Sequence, residues 1–246
     1  MKHFRWQILL GIILIVLSAV LYVVHFIIFR DAHHIFIYLV GDIAFVPIEV
    51  LLVTLIIHRL LTEREKRNKL EKMNMVIGTF FSEVGTRLLT YFSDFDPTLD
   101  TIRSNLIVTN DWSKEEFSGV SKRLKNYNYG VDIQKVDLEL LRTFLVGKSD
   151  FLVRLMENPI LLEHESFTDL LRAVFHLTEE LAARQDIRHL PEVDYKHLEN
   201  DVKRAYTQLV RQWLHYMQHL KDNYPYLFSL AMRTNPFDQE ASPVFQ

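Results

Sequence analysis

Two long apolar runs, separated by only five residues, constrain this chain more than any other feature in it. The first, WQILLGIILIVLSAVLYVVHFIIF, covers residues 6–29, and the second covers 35–57. At about 1.5 Å of rise per residue, either run is long enough to cross roughly 30 Å of hydrocarbon as a helix. A cleaved leader would carry an apolar core of about 7–15 residues followed by a small-residue cleavage site. The first run is longer, has no such site, and is followed at once by a second run, so both are read as retained spans. The link Arg30-Asp31-Ala32-His33-His34 leaves room only for a tight antiparallel hairpin.

Basic residues set the expected direction. Lys2 and Arg5 precede the first span. Arg59, Arg64, Lys66, Arg67, Lys69 and Lys72 follow the second, and the link holds only Arg30. Both termini are therefore expected on the cytoplasmic side of the plasma membrane, with Trp6 anchored at the inner interface. Arg64, Lys66, Arg67 and Lys69 can also contact anionic lipid headgroups, although glutamates are interspersed among them and orientation alone accounts for their placement.

The rest of the chain is charged and amphipathic, so the overall 49% hydrophobic content averages two different solvents. A net charge of −3 excludes nucleic-acid binding by charge. The absence of cysteine excludes disulfides, thiolate nucleophiles and cysteine-ligated metals. Seven glycines and seven prolines in 246 residues are few breaks, which favours long helices over a many-stranded sheet. The fold class is therefore all-α. The expected layout is a transmembrane hairpin over residues 1–58, a helical stalk over 59–95, a cytoplasmic helical bundle over 96–235 and a tail over 236–246.

No proline separates the second span from the stalk, so one helix is expected to continue to about Phe92. Leu70, Met73, Ile77, Phe80, Val84 and Leu88 form its apolar stripe, at a spacing that suits either a short coiled coil or packing on its own domain. Asp96-Pro97 interrupts this stripe and could open a new helix. Ser113-Lys114-Glu115-Glu116 is a capping box. Helices are then expected from about Gln134 to Glu157 with a weak point at Gly147, from Ser166 to about Arg184, from after Pro191 to about Leu220, and from Tyr226 to Arg233. The aromatic stretch NYPYLFSLAMRTNPF is expected to pack on its own domain.

The chemistry-bearing residues are inside the apolar runs. Asp42 and Glu49 are seven residues apart and so share one helix face, about 10 Å apart along its axis. Val53 and Ile56 continue that face. In a closed homo-oligomer with this face inward, the two acids would form rings above an apolar constriction, an arrangement that suits cation passage. Pro47 lies between them and frees a backbone carbonyl, with a kink expected there. The first span carries its own polar stripe of Ser18, Tyr22 and His25. In an antiparallel hairpin His25 comes near the depth of Asp42, and Ser18 near that of Glu49, so the same acids could instead fix helix packing. Carboxyl groups in hydrocarbon are costly enough to mark a site by default.

This hairpin partly resembles the mitochondrial calcium uniporter family, which joins two spans, acids early in the second span and helical segments outside the membrane. The family signature is Trp-Asp, a Glu three residues after the Asp, then Pro. Here Asp42 is followed by Ile43, Ala44, Phe45, Val46 and Pro47, the acid spacing is seven, and the Trp is absent. Neither calcium selectivity nor any site residue carries over.

His176-x-x-x-Glu180 and His215-x-x-x-His219 have metal-ligand spacing, but both pairs fall on the solvated sides of their helices. No converging set of ligands is expected, and neither a metal nor another cofactor. Phosphate-cradling glycine loops and hydrolase signatures are absent, so an enzyme is not expected. The expectation is a membrane-bound homo-oligomer that conducts cations or protons past Asp42 and Glu49, with the cytoplasmic domain assembling or gating it. The alternative is a non-conducting, membrane-anchored scaffold or sensory module that binds a cytoplasmic protein partner.

Overall fold

A computed structural model describes residues 2–162 and 164–244. All regular structure among them is helical, and they divide into two compact units, Met1–Lys66 and Arg67–Gln246.

The first unit holds α1 (Lys2–Phe29) and the N-terminal part of α2 (Ala32–Phe80). Only Arg30 and Asp31 lie between them, a tighter link than the five residues expected. Two local features make this turn. Arg30 takes φ 50°, in the left-handed region. Asp31 Oδ1 accepts the backbone N–H groups of His33 and His34 at 2.9 and 3.2 Å, which caps the first turn of α2 and draws residues 32–34 into it. By length and composition, two helices are able to cross a membrane. Their apolar side chains lie largely exposed. Helix α2 runs through Pro47 without a break.

The second unit begins within α2, whose stripe turns onto the unit's own core. Met73, Ile77, Phe80, Val84 and Leu88 are buried, while Leu70 stays 54% exposed. Packing on the domain thus accounts for most of the stripe. At Phe81–Gly85 the helix opens into one π turn before α3 (Thr86–Ser93). The wider turn lets two consecutive aromatic side chains point inward. Phe80 meets Phe167 edge-on at 5.4 Å, and Phe81 stacks on Tyr216 at 5.2 Å. A regular α-helix would rotate one of them outward by about 100°.

After α3 the chain folds through two short 3-10 turns, Leu99–Thr101 and Arg103–Asn105. Just before the first, Asp96 Oδ1 accepts from the N–H and hydroxyl of Thr98 at 3.0 Å, so Asp96-Pro97 opens a single turn and not a full helix. Ser113 and Glu116 form the expected capping box on α4 (Lys114–Lys125). Asp137 caps α5 (Leu138–Gly147), and α6 (Ser149–Met156) follows after Lys148, where the sequence predicts a weak point. The short α7 (Pro159–Leu162) leads to α8 (Glu165–Ala183), α9 (Glu192–Asn223) and α10 (Pro225–Arg233).

Helices α8 and α9 form the centre. Leu170, Leu171, Val174, Leu177 and Leu181 of the first and Leu198, Val202, Ala205, Tyr206 and Leu209 of the second are all at most 1% exposed. Burial of each large apolar side chain contributes about 1.5–3 kcal/mol. The chain after α10 also enters the core. Phe237 is fully buried with its ring 5.0 Å from Trp213, and Asn235 Nδ2 donates to the carbonyl of Leu106 at 2.8 Å.

Candidate functional site

Two groups of chemistry-bearing residues stand out, one in each unit. In the hairpin, Tyr22 and His25 of α1 line a cavity of about 380 Å³ with His34, Ile35, Tyr38 and Asp42 of α2. His34 stacks with His25 at 6.1 Å and meets Tyr38 edge-on at 4.7 Å. His25 and Asp42 thus border one space, yet no ion pair or hydrogen bond joins them among the described residues. His25 Nε2 is buried without a hydrogen-bond partner. Asp42, Glu49, Val53 and Ile56 are exposed on α2, as is Ser18 on α1, and no described contact joins Ser18 to Glu49. Pro47 is exposed within the helix, and Arg64, Lys66, Arg67 and Lys69 lie exposed beyond the apolar run.

In the second unit, the central helix pair brings together four side chains that the sequence reading did not join. His176 and Glu180 project from successive turns of α8, and His197 and Asp201 do the same from α9. One ligand atom from each lies within 4.8 Å of all the others. Histidine and acid alternate around the ring. His176 Nε2 lies 3.8 Å from Glu180 and 3.6 Å from Asp201, and His197 Nε2 lies 3.4 Å from each of the same two acids. The histidine side chains are half-exposed, whereas that of Asp201 is only 2% exposed.

An arginine holds one oxygen of each acid. Arg204 Nη1 approaches Asp201 Oδ1 at 3.2 Å. Arg184 Nη1 donates to Glu180 Oε2 at 2.7 Å and to the Glu180 carbonyl, while its Nη2 reaches Asp194 at 3.4 Å. The Arg184 hydrogen bond is the main reason the Glu180 carboxyl sits below its ordinary range, with the nearby Arg184 and His197 adding to it against desolvation. Asp201 Oδ2, the oxygen facing both histidines, is buried with no hydrogen-bond partner.

The expectation that no set of histidines and acids converges is corrected here. His176 and Glu180 sit at the boundary between the solvated face of α8 and the core, close enough to α9 to meet its own histidine–acid pair. The missed signal was His197-x-x-x-Asp201, the same spacing as His176-x-x-x-Glu180. Among the described residues, the other pair, His215 and His219, makes no such cluster. Burial, the largest cause, holds both of these imidazoles below their ordinary range. The amides of Asn74 and Asn223 both approach His219 Nδ1 at 3.1 Å.

Residues 69–233 match the family described as uncharacterized protein MJ1433, C-terminal helical domain, and residues 1–61 match the MJ1433 N-terminal helical domain. The chain belongs to the MJ1433 family. It is 48% identical over 241 residues to uncharacterized protein MJ1433 of Methanocaldococcus jannaschii, which covers 98% of this chain and 97% of that protein. The MJ1433 match therefore extends over both units, the helical hairpin as well as the C-terminal core that carries the four-residue cluster. No solved structure matches the chain.

Proposed function

We propose that this protein is a two-span protein of the plasma membrane that assembles as a homo-oligomer and conducts cations or protons, with both termini and the C-terminal helical unit in the cytoplasm. The observation that carries the reading is the exposure of Asp42 and Glu49 on one face of the otherwise apolar part of α2, residues 35–57, with no described polar partner in the chain. In hydrocarbon such acids require polar company, and symmetric copies of the same face supply it. The cavity shared by His25 and Asp42 adds protonatable groups near the outer end of the path. Val53 and Ile56 follow the acids on α2 as the narrow, apolar part. Arg64, Lys66, Arg67 and Lys69 contact anionic headgroups at the cytoplasmic surface.

The test is ion flux through purified protein in liposomes, wild type beside Asp42→Asn and Glu49→Gln, with oligomer size measured for each. The expected result is flux in the wild type and at least a tenfold loss, on the order of 1.4 kcal/mol in barrier terms, in intact mutant oligomers. Absence of flux in the wild type refutes conduction. Dissociation of the mutants would then assign the acids to helix packing. That outcome favours the second reading, a membrane-anchored sensory module, for which the cluster on α8 and α9 is the supporting feature.

A further inference from the structure

We infer that His176, Glu180, His197 and Asp201 form a binding site for one divalent transition-metal ion, in the class of Zn²⁺. This goes beyond conduction and does not depend on it. Three observations converge. The first is distance. Metal–ligand bonds of about 2.0–2.1 Å imply a ligand tetrahedron with edges of about 3.3–3.4 Å. With Oε1 of Glu180 as its ligand atom, three of the six edges measure 3.4, 3.6 and 3.8 Å, and one ligand atom from each residue lies within 4.8 Å of the others. Contraction by up to about 0.5 Å along these edges, and by at most about 1.4 Å along the rest, closes the site, and rotation of the two half-exposed histidines supplies it.

The second is Asp201. Its side chain is 2% exposed and its Oδ2 is buried without a hydrogen bond, aimed at the centre of the ring. A buried carboxylate oxygen without a hydrogen bond is costly, and a cation at that point lowers the cost. The third is the surrounding support. Arg204 and Arg184 each hold one oxygen of a ligand acid, fixing its orientation and leaving the other oxygen for the ion: Oδ2 of Asp201 and Oε1 of Glu180.

Ligand type selects the ion. Two imidazoles argue against Ca²⁺ and Mg²⁺, which prefer oxygen, and suit Zn²⁺, Fe²⁺ or Co²⁺. Ligand number selects the role. Four protein ligands make a closed site, in contrast to the three ligands and open position of a catalytic zinc. Two neutral imidazoles and two carboxylates balance the charge of a dication. The ion would therefore clamp α8 to α9 beside the 184–191 connection.

The experiment uses the full chain without an affinity tag, in detergent and stripped with chelator, titrated with Co²⁺ while ligand-field absorption is followed. One Co²⁺ per chain with the intense band of tetrahedral coordination, displaced by Zn²⁺ but not by Ca²⁺ or Mg²⁺, is expected. His197→Gln and Glu180→Gln, both at solvent-accessible positions, should weaken binding at least tenfold. His215→Gln should leave it unchanged. Chelator should lower the melting temperature of the wild type and not of His197→Gln. No tetrahedral band, or a band retained in both ligand variants, overturns the site and leaves a ring of histidine–acid ion pairs in its place.

Discussion

Replacing Phe237 by alanine tests whether the chain beyond α10 is part of the C-terminal core. The ring is fully buried and sits edge-on to Trp213 at 5.0 Å. Neighbouring backbone is held from several sides: Phe237 N–H donates to Asn235 Oδ1, Arg103 Nη1 donates to the Phe237 carbonyl, and Ser93 Oγ donates to that of Pro236. Those bonds keep the backbone in place when the ring is removed, so the site cannot fully collapse and a cavity remains. A buried phenylalanine hides about 150–200 Å², worth about 4–5 kcal/mol at 25 cal/mol per Å². Measured losses for such truncations span about 3–5 kcal/mol. In a unit the size of Arg67–Gln246, each kcal/mol moves the melting point by about 2–4 °C, which predicts a fall of about 6–20 °C. Tryptophan emission is the assay, because Trp213 reports directly on the lost contact. Phe237→Leu, which refills most of the space, should cost less than half as much. A fall below about 3 °C for Phe237→Ala would refute the reasoning and make residues 236–244 an appendage.

Gly85→Ala would place a Cβ 2.6 Å from Phe81 Cδ1 and 2.9 Å from Phe80 Cε1, so the π turn must shift at a cost of about 1–3 kcal/mol, read as a lower urea midpoint. Ser113→Ala removes the side-chain half of the capping box on α4 and should cost about 1 kcal/mol by the same assay. His215 is held below its ordinary range by burial. Its native form therefore resists protonation while the unfolded chain takes up a proton near pH 6.5. Its contribution is complete above that pH and is lost as pH falls through it toward the depressed native value. The melting temperature of wild type should drop over that window, and His215→Gln should flatten the drop. An unchanged slope would refute the assignment.

Most of the helix pattern was legible because it rests on local chemistry. The capping box at Ser113, the weak point at Gly147 and the helix end near Glu157 are written in a few adjacent residues. The apolar stripe of α2 was legible as a stripe, but its partner was not. Only the tertiary arrangement shows Phe80 against Phe167 and Phe81 against Tyr216. The π turn that makes both contacts has no signature beyond two consecutive phenylalanines and a nearby glycine.

The four-residue cluster marks where reading by periodicity runs out. Helical spacing gives His176 with Glu180 and His197 with Asp201, each within one turn of its own helix, but it does not join the two pairs. Whether two such faces meet depends on the register of α8 against α9. The buried side chains where the two helices pack are mainly apolar, Leu170, Val174 and Leu177 on one and Leu198, Val202 and Ala205 on the other. The sequence by itself determined an all-helical chain with two apolar helices at its N-terminal end and acids on one face of the second, because hydropathy and period are properties of consecutive residues. The tertiary structure alone decided that two histidines and two acids, about twenty residues apart in pairs, share one point in space, because only packing brings separate helix faces into contact.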